Sequence, residues 1–294
     1  MTGRRWCWGI YRELAHSPGR ETDDALILRA TAAVLEARGF EVELKSPDEL
    51  PESAEDPGVP ASLFVMCERG PTVEKLSRWE ARGARIVNRP EAIRNTDRER
   101  TLERFARSSV AFPESVLAST AGPISSDAPR PPLWVKRGDV HATEEGDVSY
   151  ASTDREVAAA LSRLAGRGIS RAVLQEHVPG DLIKFYGVAG EAGNALSWFH
   201  WFYHRDQKLS NHAFSETGLR TLVARATAAL GLEVFGGDAI AGPGRLVLID
   251  LNAWPSFALF RAEAAERIGA FLAARFEKSA SPSRAEVPIA RSQE

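Results

Sequence analysis

The sequence predicts a mixed α/β protein, with a small parallel-sheet α/β unit first and an α+β arrangement after it. Three observations predict this. Strand-like and helix-like stretches alternate through residues 6–88, the pattern of βαβ units. Leu63-Phe64-Val65-Met66-Cys67 is a short, wholly apolar run, as a strand covered on both faces of a parallel sheet must be. Residues 182–203 and 234–251 are instead dominated by strand patterns that follow one another directly, the second pair joined by a Gly242-Pro243-Gly244 turn.

The elements follow in order. Residues 6–11 read as a first strand. Residues 23–38 carry Ala25, Leu26, Leu28, Ala32, Val34 and Leu35 at helical spacing, with Gly39 just past the end as a stop. Phe40-Glu41-Val42-Glu43-Leu44 alternates with period two, so it is a half-buried strand, and the Pro- and acid-rich stretch 46–59 is loop. Residues 73–81 form a helix and 85–88 a further strand. Beyond Asn95 come a helix at 98–108, a strand at 113–117 and a Ser/Pro-rich connection at 122–132. A strand at 133–136, a helix at 154–167 capped by Thr153 or Asp154, and a strand at 172–178 follow. A helix at 217–230, strands at 234–240 and 245–251, and a helix at 262–276 complete the fold. The Ser/Pro/Arg/Glu-rich end has no apolar face and reads as a disordered tail. The chain's 294 residues suit about two domains, set here at 1–95 and 96–278, with the tail at 279–294.

Composition excludes several functions. Lys+Arg number 37 against 40 Asp+Glu, a net charge of −3 that gives no footprint for nucleic acid. No apolar run is long enough to span a bilayer. Cys7 and Cys67 both sit in apolar strand-like runs, as buried thiols of a reducing compartment do, and the protein is expected to be cytoplasmic. Gly-x-Ser-x-Gly and the P-loop pattern are both absent.

The chemistry-bearing residues fall into four groups. Asp250 and Asn252 are two apart on one strand and share a face, and Asp238 on the partner strand of the hairpin can lie beside them. Two carboxylates and a carboxamide offer the hard oxygens that Mg²⁺ takes; a plain solvent-facing hairpin is the alternative. Only six of the basic residues are lysines, and two of these, Lys136 and Lys184, interrupt apolar strands. A Lys there needs an anion, or an edge from which its head group reaches water. Gln175-Glu176-His177-Val178, running on to a Pro-Gly turn and Asp181, can offer backbone groups to an adenine edge and a carboxylate to ribose. The run 198–204 is aromatic on both faces. Its plainest reading is a buried central strand; a substrate wall and a zinc site using His200, His204 and His212 are the alternatives.

Taken in order, these features resemble the ATP-grasp superfamily over about residues 85–275. Asn88-Arg89-Pro90-Glu91-Ala92-Ile93 followed by Asp97-Arg98 resembles the family's opening helix, and Trp134-Val135-Lys136 its phosphate-binding strand. Gln175–Val178 is similar to the adenine hinge, and Asp238 with Asp250-Leu251-Asn252 and Pro255 to the metal triad and its turn. The resemblance implies two β-rich lobes, preceded by the small α/β domain, with ATP between them. It implies Mg²⁺, or Mn²⁺, on Asp238, Asp250 and Asn252, and catalytic charge neutralisation by Arg98, Lys136 and Lys184. Gln175, Glu176, His177, Val178 and Asp181 would line the nucleotide.

The implied activity is ligation of a carboxylate to an amine or thiol on a small molecule or peptide, through an acyl phosphate. Two departures are visible. The usual Glu-x-Asn is Asp250-Leu251-Asn252, as in the inositol-polyphosphate kinase branch, which keeps a small-molecule kinase as the alternative. The loop after Lys136 has few glycines, so Arg137 and His141 stand in for backbone contacts to phosphate or substrate, and Arg205 is a further candidate for an anionic substrate. An ATP-binding protein without turnover is the third reading. Neither nucleic acid nor membrane is an expected partner, and a homodimer is compatible with all three readings.

Overall fold

The computed structural model describes residues 5–16, 21–53, 56, 58–139, 144–190 and 195–277. His141 and the tail at 279–294 lie outside the described residues. The first sheet is parallel. It contains β1 (Trp6–Ile10), β2 (Glu41–Lys45), β3 (Ser62–Val65) and β4 (Arg85–Val87), in the order β2-β1-β3-β4. Its helices are α1 (Glu21–Ala37) and α2 (Gly70–Ala81), followed by α3 (Pro90–Arg94) and α4 (Arg98–Arg107). Successive residues of a strand point to opposite faces, so the two faces of this sheet feed two cores. Trp8, Ile10, Leu63 and Val65 pack with α2 and with residues of the third sheet. Cys7 and Phe64 pack with α1 and the last helix. Both cysteines are buried, and desolvation pushes the Cys7 thiol up to about 12.

The second sheet is antiparallel: β5 (Ser115–Ser119), β6 (Leu133–Arg137), β7 (Val148–Ala151) and β8 (Arg171–Glu176), in the order β5-β8-β6-β7. Helix α5 (Asp154–Gly166) closes one face with Val157, Ala160, Leu161 and Leu164. Thr153 is its cap, the side-chain oxygen accepting from the Glu156 amide. The third sheet is also antiparallel: β9 (Asp181–Ala189), β10 (Leu196–Tyr203), β11 (Val234–Gly242) and β12 (Arg245–Ala253), in the order β10-β9-β11-β12. Helix α6 (Glu216–Leu230) ends at Gly231, whose φ of 79° is the left-handed stop that glycine adopts without strain. Helix α7 (Arg261–Glu277) packs along α1. Among the described residues no helix is long and apolar enough to cross a membrane.

Two expectations need correction. β7 is a strand where the sequence shows no strand signal, because Val148-Ser149-Tyr150-Ala151 is short and takes its conformation from pairing with β6. The aromatic strand β10 is an edge strand, not a central one. Residues from outside the sheet meet both of its faces. Trp198, His200 and Phe202 meet Phe257 and Phe260, while Trp201 meets Phe214 and Phe199 packs on Phe185 of the neighbouring β9. Coverage of both faces and rank within the sheet are independent, and the sequence pattern reports only the first.

Asn88, at the end of β4, ties the first sheet to the third. Its Nδ2 donates to the Val234 carbonyl at 2.7 Å, and its Oδ1 accepts from the amides of Glu233 and Val234 at 2.8 and 2.9 Å. The residue is fully buried. Asn88→Ala leaves two amides and a carbonyl without partners, and is expected to lower unfolding stability by about 2–4 kcal/mol in chemical denaturation.

Candidate active site

One cavity of about 750 Å³ collects residues from the second and third sheets and from the segments that follow β1 and β3 of the first. Its floor is the third sheet. Lys184 on β9 lies opposite Asp238 on β11, and Asp238 lies opposite Asp250 on β12, so three charged residues form one row across three strands. Two residues along, on the same face, Tyr186, Gly236 and Asn252 form a second row. The register slips between Asp238 and Ala239, where Ile249 is the extra residue of a bulge. Such a bulge re-aims neighbouring side chains, and here Ile249 and Asp250 both line the cavity although they are consecutive. Gly236 and Gly237 make the close packing possible. A Cβ on Gly236 would come within 2.6 Å of Pro255, and one on Gly237 would fall on the Asp250 carbonyl oxygen.

The charges are interlocked. Lys184 Nζ donates to Asp238 Oδ1 at 2.9 Å, and Asn252 Nδ2 donates to Asp250 Oδ2 at 3.2 Å. Burial raises the Asp238 carboxyl above its ordinary value against the pull of Lys184, with Asp250 adding to the rise. From the second sheet, Lys136 reaches toward the bulge, its Nζ 3.5 Å from the Ile249 carbonyl. Burial lowers Lys136 to about 8, and Arg98 adds to that lowering against the pull of Asp250 and Asp238. Arg98 opens α4, donates to the Arg137 carbonyl at 2.9 Å and feels Asp250 as its strongest favourable charge. Two carboxylates and a carboxamide, with Lys184 beside them in the row, therefore face Lys136 and Arg98 across one cleft, a donor set of hard oxygens that suits Mg²⁺.

The opposite wall comes from the second sheet and the segment after it, with Trp134, Val148, Gln175, Glu176, His177 and Val178, while Leu182 and Ile240 extend the floor as a further row of the third sheet. Trp134 Nε1 donates to His177 Nδ1 at 3.2 Å, and Tyr150 packs edge-on to both rings. Gln175 is buried and turns its amide toward Ser115. Glu176 is paired with Arg245.

Three expected site residues are not brought to this cavity. Asp181 is buried, with one carboxylate oxygen accepting from the Ser210 amide at 2.6 Å and the other from the His212 amide at 2.8 Å. Its work is to hold the loop after β10, which a reading by position along the hinge does not foresee. Arg137 pairs with Asp139 and with the fully buried Asp147, clasping the base of the loop that follows Lys136. Arg205 is exposed outside the cavity lining. Among the described residues no three His, Cys, Asp or Glu side chains converge as a metal cluster, and His200 instead stacks on Phe260 with its Nε2 3.1 Å from Glu263.

Among the lining residues that went unanticipated are Arg12, His16, Asp24 and Glu68. Arg12 and Glu68 follow the carboxyl ends of β1 and β3, the neighbouring strands at which the order β2-β1-β3-β4 reverses direction. Ligands of open parallel sheets bind outside that switch point, so charged residues just after the apolar strands were the available signal. Arg12 Nε donates to Asp24 at 2.9 Å, Nη1 to Glu68, and Nη2 to the Trp254 carbonyl at 2.5 Å, two residues past Asn252.

Comparison with solved structures now bears on the fold. D-alanyl-alanine synthetase A from Vibrio cholerae superposes with a TM-score of 0.70 at 13% identity, covering 95% of this chain and 98% of that one. A RimK domain ATP-grasp protein from Sphaerobacter thermophilus gives 0.65 at 17% identity, covering 91% and 99%. This chain has the ATP-grasp fold. The ATP-grasp ligase PsnB, complexed with precursor peptide PsnA2 and AMPPNP, gives 0.63 at 17% identity, covering 94% and 99%. No protein-family model matches the chain, and no curated protein matches it. At these identities the likeness establishes the ATP-grasp architecture and leaves the chemistry to the residues.

Asp97, just before Arg98, gives a stability prediction. Burial raises its carboxyl to about 6 from 3.8, with Glu68 and Asp139 adding to the rise and Arg100 and Arg94 opposing it. The folded state therefore holds the proton more tightly, and stability falls as pH rises from about 4 to 6. Asp97→Asn is expected to remove that slope and to stabilise the protein at pH 7 by about 2 kcal/mol, read from denaturation curves across the pH range.

Proposed function

We propose that this protein is an ATP-dependent ligase that joins a carboxylate to an amine of a small molecule or peptide. The observation that carries the reading is the row Lys184–Asp238–Asp250, faced by Lys136 and Arg98, in a cavity whose far end is formed by the segments that follow β1 and β3. ATP would lie with its base against Trp134 and the 175–178 hinge and its triphosphate over the charged row. Asp238, Asp250 and Asn252 would hold Mg²⁺, which when bound supplies positive charge to the β- and γ-phosphates. Lys136, Lys184 and Arg98 neutralise the rest. Phosphoryl transfer asks the protein chiefly for positioning and charge stabilisation, and this arrangement offers both. The acceptor carboxylate attacks the γ-phosphorus, ADP leaves, and an amine displaces phosphate from the acyl phosphate.

Titration calorimetry with AMP-PNP, with and without Mg²⁺, tests the nucleotide site. ADP release that requires both an acid and an amine, with hydroxamate formed when hydroxylamine is the amine, is the result expected of a ligase. Transfer of the γ-phosphate into a stable phosphomonoester would instead establish the kinase alternative, which Asp250-Leu251-Asn252 favours over the commoner Glu-x-Asn.

A further inference from the structure

Among the described residues at the end of the cavity formed by the segments after β1 and β3, one side chain is suited to accept a proton near neutral pH. His16 lines the cavity, and its Nδ1 faces Glu68 Oε2 at 3.9 Å. Glu68 in turn is held by Arg12, and Arg12 by Asp24 and the Trp254 carbonyl. A short chain of contacts thus runs from His16 to the turn just past Asn252. The other candidates at this end are occupied in ways that make them poor bases. Asp24 and Glu68 both accept from the Arg12 guanidinium, and Glu13 accepts from the amides of Glu68 and Arg69. His177, the other lining histidine, lies at the nucleobase wall with its Nδ1 taken by the Trp134 indole. Lys136, Lys184 and Arg98 belong to the phosphate end, beside or facing Asp238 and Asp250.

We infer that His16, backed by Glu68, removes the proton from the amine that attacks the acyl phosphate. The role rests on the ligase reading above. An amine in water is an ammonium ion and has no lone pair to attack with. His16 Nε2, the ring nitrogen that does not face Glu68, takes one proton. The freed lone pair forms the C–N bond, and the C–O bond to phosphate breaks with its electron pair on phosphate. The nitrogen's second proton goes to that phosphate, and His16 returns its own to solvent. Glu68 and Glu13 hold His16 above its ordinary value while Arg12 and burial oppose them, so the ring is basic enough to take the proton.

The test reads the tautomer and the turnover separately. In the full chain labelled with nitrogen-15 histidine, the His16 signals are identified by their loss in His16→Gln. Neutral His16 is expected to carry its hydrogen on Nδ1, toward Glu68, with Nε2 bare, and Glu68→Gln is expected to lower its titration midpoint. An Nε2–H tautomer in the wild type overturns the role, whether or not Glu68→Gln folds. For turnover, ADP release is measured over a panel of free amino acids as acids, with glycinamide or hydroxylamine as the amine. His16→Gln is expected to lose on the order of a hundredfold in kcat with glycinamide, which is protonated at neutral pH. It is expected to lose only a few-fold with hydroxylamine, which is not protonated there. Equal losses with the two amines overturn the role. AMP-PNP binding to the wild type reports on the nucleotide site independently. If wild-type ADP release never requires an amine, the ligase reading fails while the tautomer result stands by itself.

Discussion

Asparagine in place of Asp250 is expected to reduce turnover at least a hundredfold while leaving the fold intact. Asp250 is the middle of the charged face: it lies opposite Asp238, receives the Asn252 amide and is the favourable charge that both Arg98 and Lys136 feel most. Asparagine keeps the size and one acceptor oxygen but removes the negative charge on which a divalent cation depends. The loss of a positioned electrostatic group at a phosphoryl-transfer centre costs on the order of 10²–10³ in rate. Stability is expected to change little. Removing the Asp250 charge relieves its repulsion of Asp238 but takes from Arg98 and Lys136 the favourable charge they feel most. The expected pair of results is a melting temperature near that of wild type and an ADP-release rate near background. Turnover at the wild-type level would refute the assignment of Asp250.

The second large effect concerns Lys136. Its ammonium is buried among groups that only partly compensate it, which is why its proton is lost near pH 8 and not at 10.5. In the nucleotide-free protein the charged form is therefore a cost, present in full below about pH 8 and fading as pH rises toward 10.5. Lys136→Met, close in length and without charge, is expected to stabilise the nucleotide-free protein at pH 7 by about 2–3 kcal/mol. The same variant is expected to bind AMP-PNP with Mg²⁺ at least tenfold more weakly, because the anion that would offset the buried charge loses its partner. Stability gained where affinity is lost is the signature of a residue kept for its ligand. A variant that is no more stable and binds nucleotide as tightly as wild type would remove Lys136 from the site.

Much of the site was legible because strand geometry carries it. Asp250 and Asn252 share a face by the two-residue period of any strand, and the Gly-Pro-Gly turn returns the chain so that Asp238 can come beside them. Lys136 and Lys184 stood out as charges inside apolar strands, which chain chemistry tolerates only beside an anion or water. Asp181 was misread because the sequence shows that a carboxylate follows the hinge but not which way it turns; the loop after β10, more than twenty residues on, claims both its oxygens. The aromatic strand β10 was misplaced for a related reason, since apolar residues on both faces do not say whether a neighbouring strand or a neighbouring helix covers them.

The sequence by itself determined the alternation of elements, the parallel first sheet, the antiparallel hairpin with its three oxygen-bearing side chains, and the two lysines that need an anion. All of these rest on local periodicity and on the cost of burying charge, which act within a few residues. Only the tertiary structure decided that Lys184, Asp238 and Asp250 form one row, that a bulge brings Ile249 to the cavity beside Asp250, and that Arg12, His16, Asp24 and Glu68 close its far end. Those facts depend on register between strands and on which sheet meets which. That is settled by packing between residues as far apart as Arg12 and Trp254, which no local pattern encodes.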